Sequence, residues 1–171
     1  MPVQTSYDEA MQIAMPGMRS DSSLENTDGC CAAQSAIKPG YAVATVSVAN
    51  DKSVVKQVSA ATDTIIKGIA RFSQFGCVTG QYKTGDAVNV MTFGRIWAVT
   101  NLTAAPTPSA NVQVLTSGND VGKVASTGGT AVLGWSFTGR FTTFTDSTGT
   151  VVNLAEVQLR DQTAVAATPA E

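Results

Sequence analysis

The sequence predicts an all-β protein: a β-sandwich or jelly-roll-like barrel with an extended N-terminal arm carrying a short helix. Three observations point there. Valine, threonine, alanine, serine and glycine dominate, and only 14% of residues are charged, well under an average soluble domain. From Tyr41 onward, turn signals recur at the spacing of a sandwich or barrel. Finally, Tyr82–Thr100, YKTGDAVNVMTFGRIWAVT, places two β-prone apolar runs on either side of Phe93-Gly94.

That last stretch organises the rest. Read as a hairpin with Phe93-Gly94 as its loop, it sets Val90 opposite Trp97 and Val88 opposite Val99. Val88, Val90, Trp97 and Val99 then share one face, and Asn89, Met91, Ile96 and Ala98 the other. A hairpin with two mostly apolar faces belongs in the middle of the molecule, covered on both sides.

Residues 1–40 form the predicted arm. Ser6 and Glu9 fit a capping box, and Tyr7, Ala10, Met11 and Ala14 follow at helical spacing until Pro16-Gly17. A helix this short is marginal alone and must dock on its own body or in a partner's groove. Residues 19–40 are polar, small and without periodicity, and read as an extended segment over a surface.

The body is expected over 41–160. Tyr41–Ala49 alternates, Asn50-Asp51 turns, and Ser53–Val58 and Asp63–Phe72 are strands, the latter with a close backbone approach or bulge at Gly68. The prolines of NLTAAPTPSA exclude a central strand after Thr100. Asn111–Leu115 and Val121–Ala125 pair around Ser117–Asp120, Ala131–Thr145 is aromatic-rich, and Val151–Arg160 alternates to the end. Residues 161–171 are small and polar and read as a flexible tail.

Composition also narrows function. The net charge is −2 and basic residues are scattered singly, against a nucleic-acid surface. No apolar run reaches the ~20 residues that span a bilayer, and no basic-then-apolar leader suggests export. The protein is expected to be made in a cytoplasm. Histidine is absent, so the commonest general base and metal ligand is missing. No carboxylate pair, phosphate loop or Ser–Lys spacing suggests catalysis, so no enzyme is expected. Cys30, Cys31 and Cys77 form a poor disulfide framework and read as small structural side chains.

Five pieces in this order are characteristic: Tyr7-x-x-x-Met11-x-x-Ala14-x-x-Gly17-Met18-x-x-Asp21, Lys38-Pro39-Gly40-Tyr41-Ala42-Val43, Lys67-Gly68-Ile69-Ala70, Tyr82-Lys83-x-Gly85-Asp86-x-Val88-x-Val90 and Gly94-Arg95-Ile96-Trp97. From about Tyr7 to Arg160 the chain resembles the structural cement proteins of tailed bacteriophages. The resemblance implies a protein on the outer surface of the virion head, bound as a homodimer or homotrimer over junctions of the major capsid protein. It also implies no catalysis; no cofactor or metal is expected. Cys30-Cys31, Ala105-Pro106-Thr107-Pro108 and the tail after Arg160 depart from the pattern.

On this reading Tyr7, Met11, Ala14, Gly17 and Met18 are the candidate capsid-binding residues. Linking several weakly binding arms through an oligomeric body raises avidity by factors of about 10²–10⁴. The alternative is another non-enzymatic virion β-protein, such as a tail or carbohydrate-binding module; that would need exposed aromatics at Trp97 or Trp135.

Overall fold

The structure, a computed structural model, describes residues 12–74, 80–146 and 148–160. Nine strands and no helix occur among them: β1 (Asn26–Ala33), β2 (Ala42–Ala49), β3 (Lys52–Gln57), β4 (Ile66–Ala70), β5 (Ala87–Val99), β6 (Asn111–Val114), β7 (Val124–Ala125), β8 (Thr130–Thr145) and β9 (Val151–Leu159). The expected all-β class holds. The helix expected over Tyr7–Ala14 falls mostly on residues 1–11, which lie outside the described residues, and Gln12–Gly17 are not helical.

β2 and β3 form the hairpin that alternation predicts, with Ala49 opposite Lys52. Asn50 and Asp51 make the turn at φ 51 and 59, the left-handed pair that a two-residue loop needs and that Asn and Asp tolerate. β3 pairs in parallel with β1, while β2–β4, β4–β5 and β5–β1 pair antiparallel. Five strands therefore close into a barrel. Its narrow interior takes small or flat side chains: Cys31, Ala33, Val43, Val55, Val88 and Val90, with Tyr82 among them. Tyr82 is fully buried and donates its hydroxyl to the Arg71 carbonyl at 2.6 Å.

β5 is common to the barrel and to a second sheet, β5-β9-β8-β6-β7. Its first half pairs with β1 and β4, while Gly94–Val99 pairs with β9. Phe93-Gly94 is thus not a hairpin loop but the point where one 13-residue strand changes sheets. A two-residue loop would need positive φ at both central residues or glycine in the first position. Phe93 is not among the positive-φ residues, and glycine is second, at φ 112.

Nevertheless the predicted faces are largely right. The register with β1 slips between Asn26↔Phe93 and Thr27↔Met91, so β5 carries an extra residue there. The bulge reverses the alternation as a hairpin would: Met91, Ile96 and Ala98 enter one cluster, although they are odd and even in number. That cluster lies between the barrel's outer face (Ala42, Ala44, Ile69) and the second sheet (Val112, Trp135, Phe137, Val157). Val90 and Trp97 do not face each other; their partners are Ala70 and Glu156.

One further expectation changes and another is met. The stretch 19–40, read as a surface segment without periodicity, holds β1, which pairs on both sides. Its register is broken twice against β5, which hides any alternation in NTDGCCAA. Gly68 meets its expectation: a Cβ there would stand 2.2 Å from the Met91 carbonyl oxygen.

Candidate functional site

The second sheet has one face turned away from the barrel, carrying Trp97, Val99 and Leu154 with Phe144 and Val152 beside them. Residues 12–25 form a strap here: Ala14 and Met18 pack on this face, and Arg19 bridges antiparallel to Ile96 along the edge of β5's second half. Gly17 N–H donates to the Trp97 carbonyl at 2.8 Å, Trp97 N–H to Met18 at 2.9 Å and Ser20 N–H to Arg95 at 3.0 Å. Phe72 N–H donates to the Gly17 carbonyl at 2.9 Å, so the strap also reaches the barrel. Only glycine fits at 17: φ is 75, and a Cβ would lie within 3.0 Å of backbone atoms of Ala70, Gly40 and Phe72.

Of the predicted capsid-binding residues, Ala14 is completely buried with Trp97 and Leu154, Gly17 is buried, and Met18 is partly buried against the same cluster. Tyr7 and Met11 lie outside the described residues. Gln12 is the first described residue of the strap. Its amide donates to the Thr145 carbonyl at 2.8 Å and accepts from Thr145 N–H at 2.9 Å, imitating a strand partner. Ile13 and Leu24, at 70% and 80% exposure, are apolar side chains that the strap turns to solvent.

Polar anchors hold the strap's later residues. Arg95 pairs with Asp21 at 3.1 Å, and Glu25 takes Arg19 at 3.0 Å and Arg71 at 3.3 Å. Hydrogen bonds from the Ser23 side chain and backbone, with Arg95 adding to them, hold Asp21 below the usual carboxylate range. Glu156 of β9 is fully buried and accepts from the hydroxyls of Ser20 and Thr138 and from Arg140 at 3.1 Å. The Arg140 guanidinium lies 5.6 Å from the Trp97 ring centre. Sequence reading missed Glu156. Its signal was a charge continuing the apolar line Val152, Leu154.

Beside the strap runs an open groove of about 1000 Å³, walled by Met15, Pro16, Tyr41, Phe72, Phe144 and Val152. Lys123 on its rim is engaged by Asp120 at 2.6 Å. Elsewhere, burial pushes the Cys31 thiol up to about 12, which leaves it unreactive, while Cys30 is exposed. Among the described residues there is no cluster of potential metal ligands and no helix long and apolar enough to cross a membrane. Trp97 and Trp135 are 3% and 2% exposed, so neither offers a sugar platform.

Residues 3–160 match the family described as Structural cement protein (E217 gp24/Pam3 gp6). Among solved structures, a chain from the capsid of Myoviridae Phage XM1 is similar in fold, with a TM-score of 0.71 at 18% identity, over 95% of this chain and 100% of that one. No curated protein matches the sequence.

Proposed function

We propose that this chain, which belongs to the structural cement protein family of phages, binds the outer surface of the phage head and clamps neighbouring major capsid protein subunits. The observation that carries this is the extent of the family match, which takes in the strap and all nine strands rather than one isolated motif. Membership implies a structural role rather than a catalytic one.

The physics suits such a role. Holding a shell against internal pressure requires contact area and multivalency. Tyr7 and Met11 lead into a strap whose base is fixed to the body by Ala14, Gly17 and Met18. In this reading Tyr7, Met11 and the exposed Ile13 meet the capsid, and Ala14, Gly17 and Met18 anchor them. A homodimer or homotrimer would present several such leaders together, placing the protein on the virion after synthesis in the host cytoplasm. Of the eleven Lys and Arg side chains, seven pair with carboxylates, which leaves little basic surface for nucleic acid.

Mixing the purified protein with heads that lack it tests the reading. The full chain is expected to sediment with heads, and Met11→Asp to bind more weakly at an unchanged Tm. Equal binding by Met11→Asp and by a form lacking residues 1–11 would refute the leader's role. Binding to tails or glycans but not heads would favour the other virion readings.

A further inference from the structure

We propose that Glu156 is a latch for the strap, and that residues 12–25 open as a unit separately from the barrel. Glu156 is a fully buried charge on a face otherwise built of Trp97, Val99 and Leu154. A buried carboxylate is stable only with its partners in place. Two of them, Thr138 and Arg140, come from β8, and the third, Ser20, comes from the strap. Arg140 Nη1 also approaches Ser20 Oγ at 3.5 Å, and Arg95 nearby holds Asp21 and Gln158. The carboxylate therefore links the strap's midpoint to the sheet by charge-assisted bonds, which are stronger than neutral ones.

The barrel does not depend on this contact. Its ring of strand pairs closes without the strap, and its interior cluster contains no strap residue. The strap is tied to the barrel side by the Gly17 carbonyl, which accepts from Phe72 N–H, and by Glu25, which pairs with Arg71. Segments held at a surface mainly by hydrogen bonds and exposed ion pairs, with few buried apolar side chains, open at lower free energy than the core. Opening would release residues 12–25, a segment of roughly 45 Å at full extension. That functional consequence rests on the capsid-binding reading; the latch itself does not.

Amide hydrogen exchange on the free full-length protein tests the latch, comparing the wild type with Glu156→Gln and Ser20→Ala at one pH. Glutamine keeps the shape but removes the charge, and Ser20→Ala removes only the strap's hydroxyl. In both variants the amides of Gly17, Ser20 and Trp97 are expected to exchange ~10-fold faster, with those of Ala70 and Tyr82 in the barrel unchanged. Unchanged strap amides in Ser20→Ala, or strap and barrel amides accelerated together, would overturn the proposal. If Glu156→Gln does not fold, Ser20→Ala decides alone. Because no capsid is present, failure here leaves the capsid reading standing, and failed capsid binding leaves the latch standing.

Discussion

The first half of β5 sits in a closed ring of strands, whereas its second half lies in a sheet whose outer face is covered by another piece of chain. In the ring, neighbouring strands satisfy the backbone and an interior of mostly small side chains fills the space. On the covered face, burial of Trp97 and Leu154 depends on Ala14 and Met18 arriving from the N-terminal segment. The difference teaches where each kind of damage should appear. Barrel substitutions should cost global stability, while strap substitutions should first loosen one surface.

The largest expected effect is on the barrel side. Gly68→Ala would drive a Cβ to 2.2 Å from the Met91 carbonyl oxygen and 2.8 Å from Val90 Cγ1, forcing β4 and β5 apart. A loss of about 3–5 kcal/mol is expected, in the range of the severest single substitutions, lowering Tm by roughly 10 °C or more in thermal unfolding. A near-neutral result would mean the ring is looser than described. Its counterpart is Gly17→Ala, which meets three backbone atoms at the strap. There the expected signature is a red shift of tryptophan emission as Trp97 is uncovered, with the barrel's far-ultraviolet circular dichroism retained.

Next comes Asp63, 8% exposed in the loop between β3 and β4. It accepts from Ser59 and Ala60 N–H at 2.8 and 3.1 Å and pairs with Lys56 at 2.7 Å. Burial works to raise its pKa, but Lys56 and these backbone donors outweigh it and hold the carboxyl below its ordinary value. Its stabilisation is therefore fully present above the unfolded-state pKa of about 3.9 and is lost as pH falls through the lower folded-state value. Asp63→Ala is expected to cost about 2–3 kcal/mol at neutral pH by leaving donors unsatisfied, and to flatten the acid limb of a denaturant-midpoint titration. An unchanged acid limb would remove Asp63 from the account.

The smallest effect belongs to the strap's exposed ion pairs. Arg95→Ala breaks the contact with Asp21, yet Tm should stay within about 2 °C because such pairs are solvent-screened. A much larger drop would mean that the strap supports the whole fold, and would erase the contrast between the two regions.

How much could be read in advance follows the same division. The β2–β3 hairpin was legible because alternation, Asn50-Asp51 and ordinary turn chemistry agree. The faces of β5 were legible although its hairpin was not, since a bulge and a two-residue loop reverse alternation alike. β1 was not legible: two register breaks against β5 erase periodicity in NTDGCCAA. The burial of Ala14 fits a docked segment, one of two readings left open, but choosing it needed the partner face of Trp97, far away in sequence. Glu156 could be noticed as a charge out of place, but its partners Ser20 and Arg140 come from different parts of the chain.

In the proposed reading, a fixed body presents a leader that fastens it to the phage head. Quantitative sedimentation with heads lacking the protein, comparing the full chain with a form beginning at Gln12, tests this most directly. The account predicts that both forms melt at the same temperature, that the full chain saturates the heads, and that the shortened form remains in the supernatant. Saturation of the heads by the shortened form at the same concentration would contradict it.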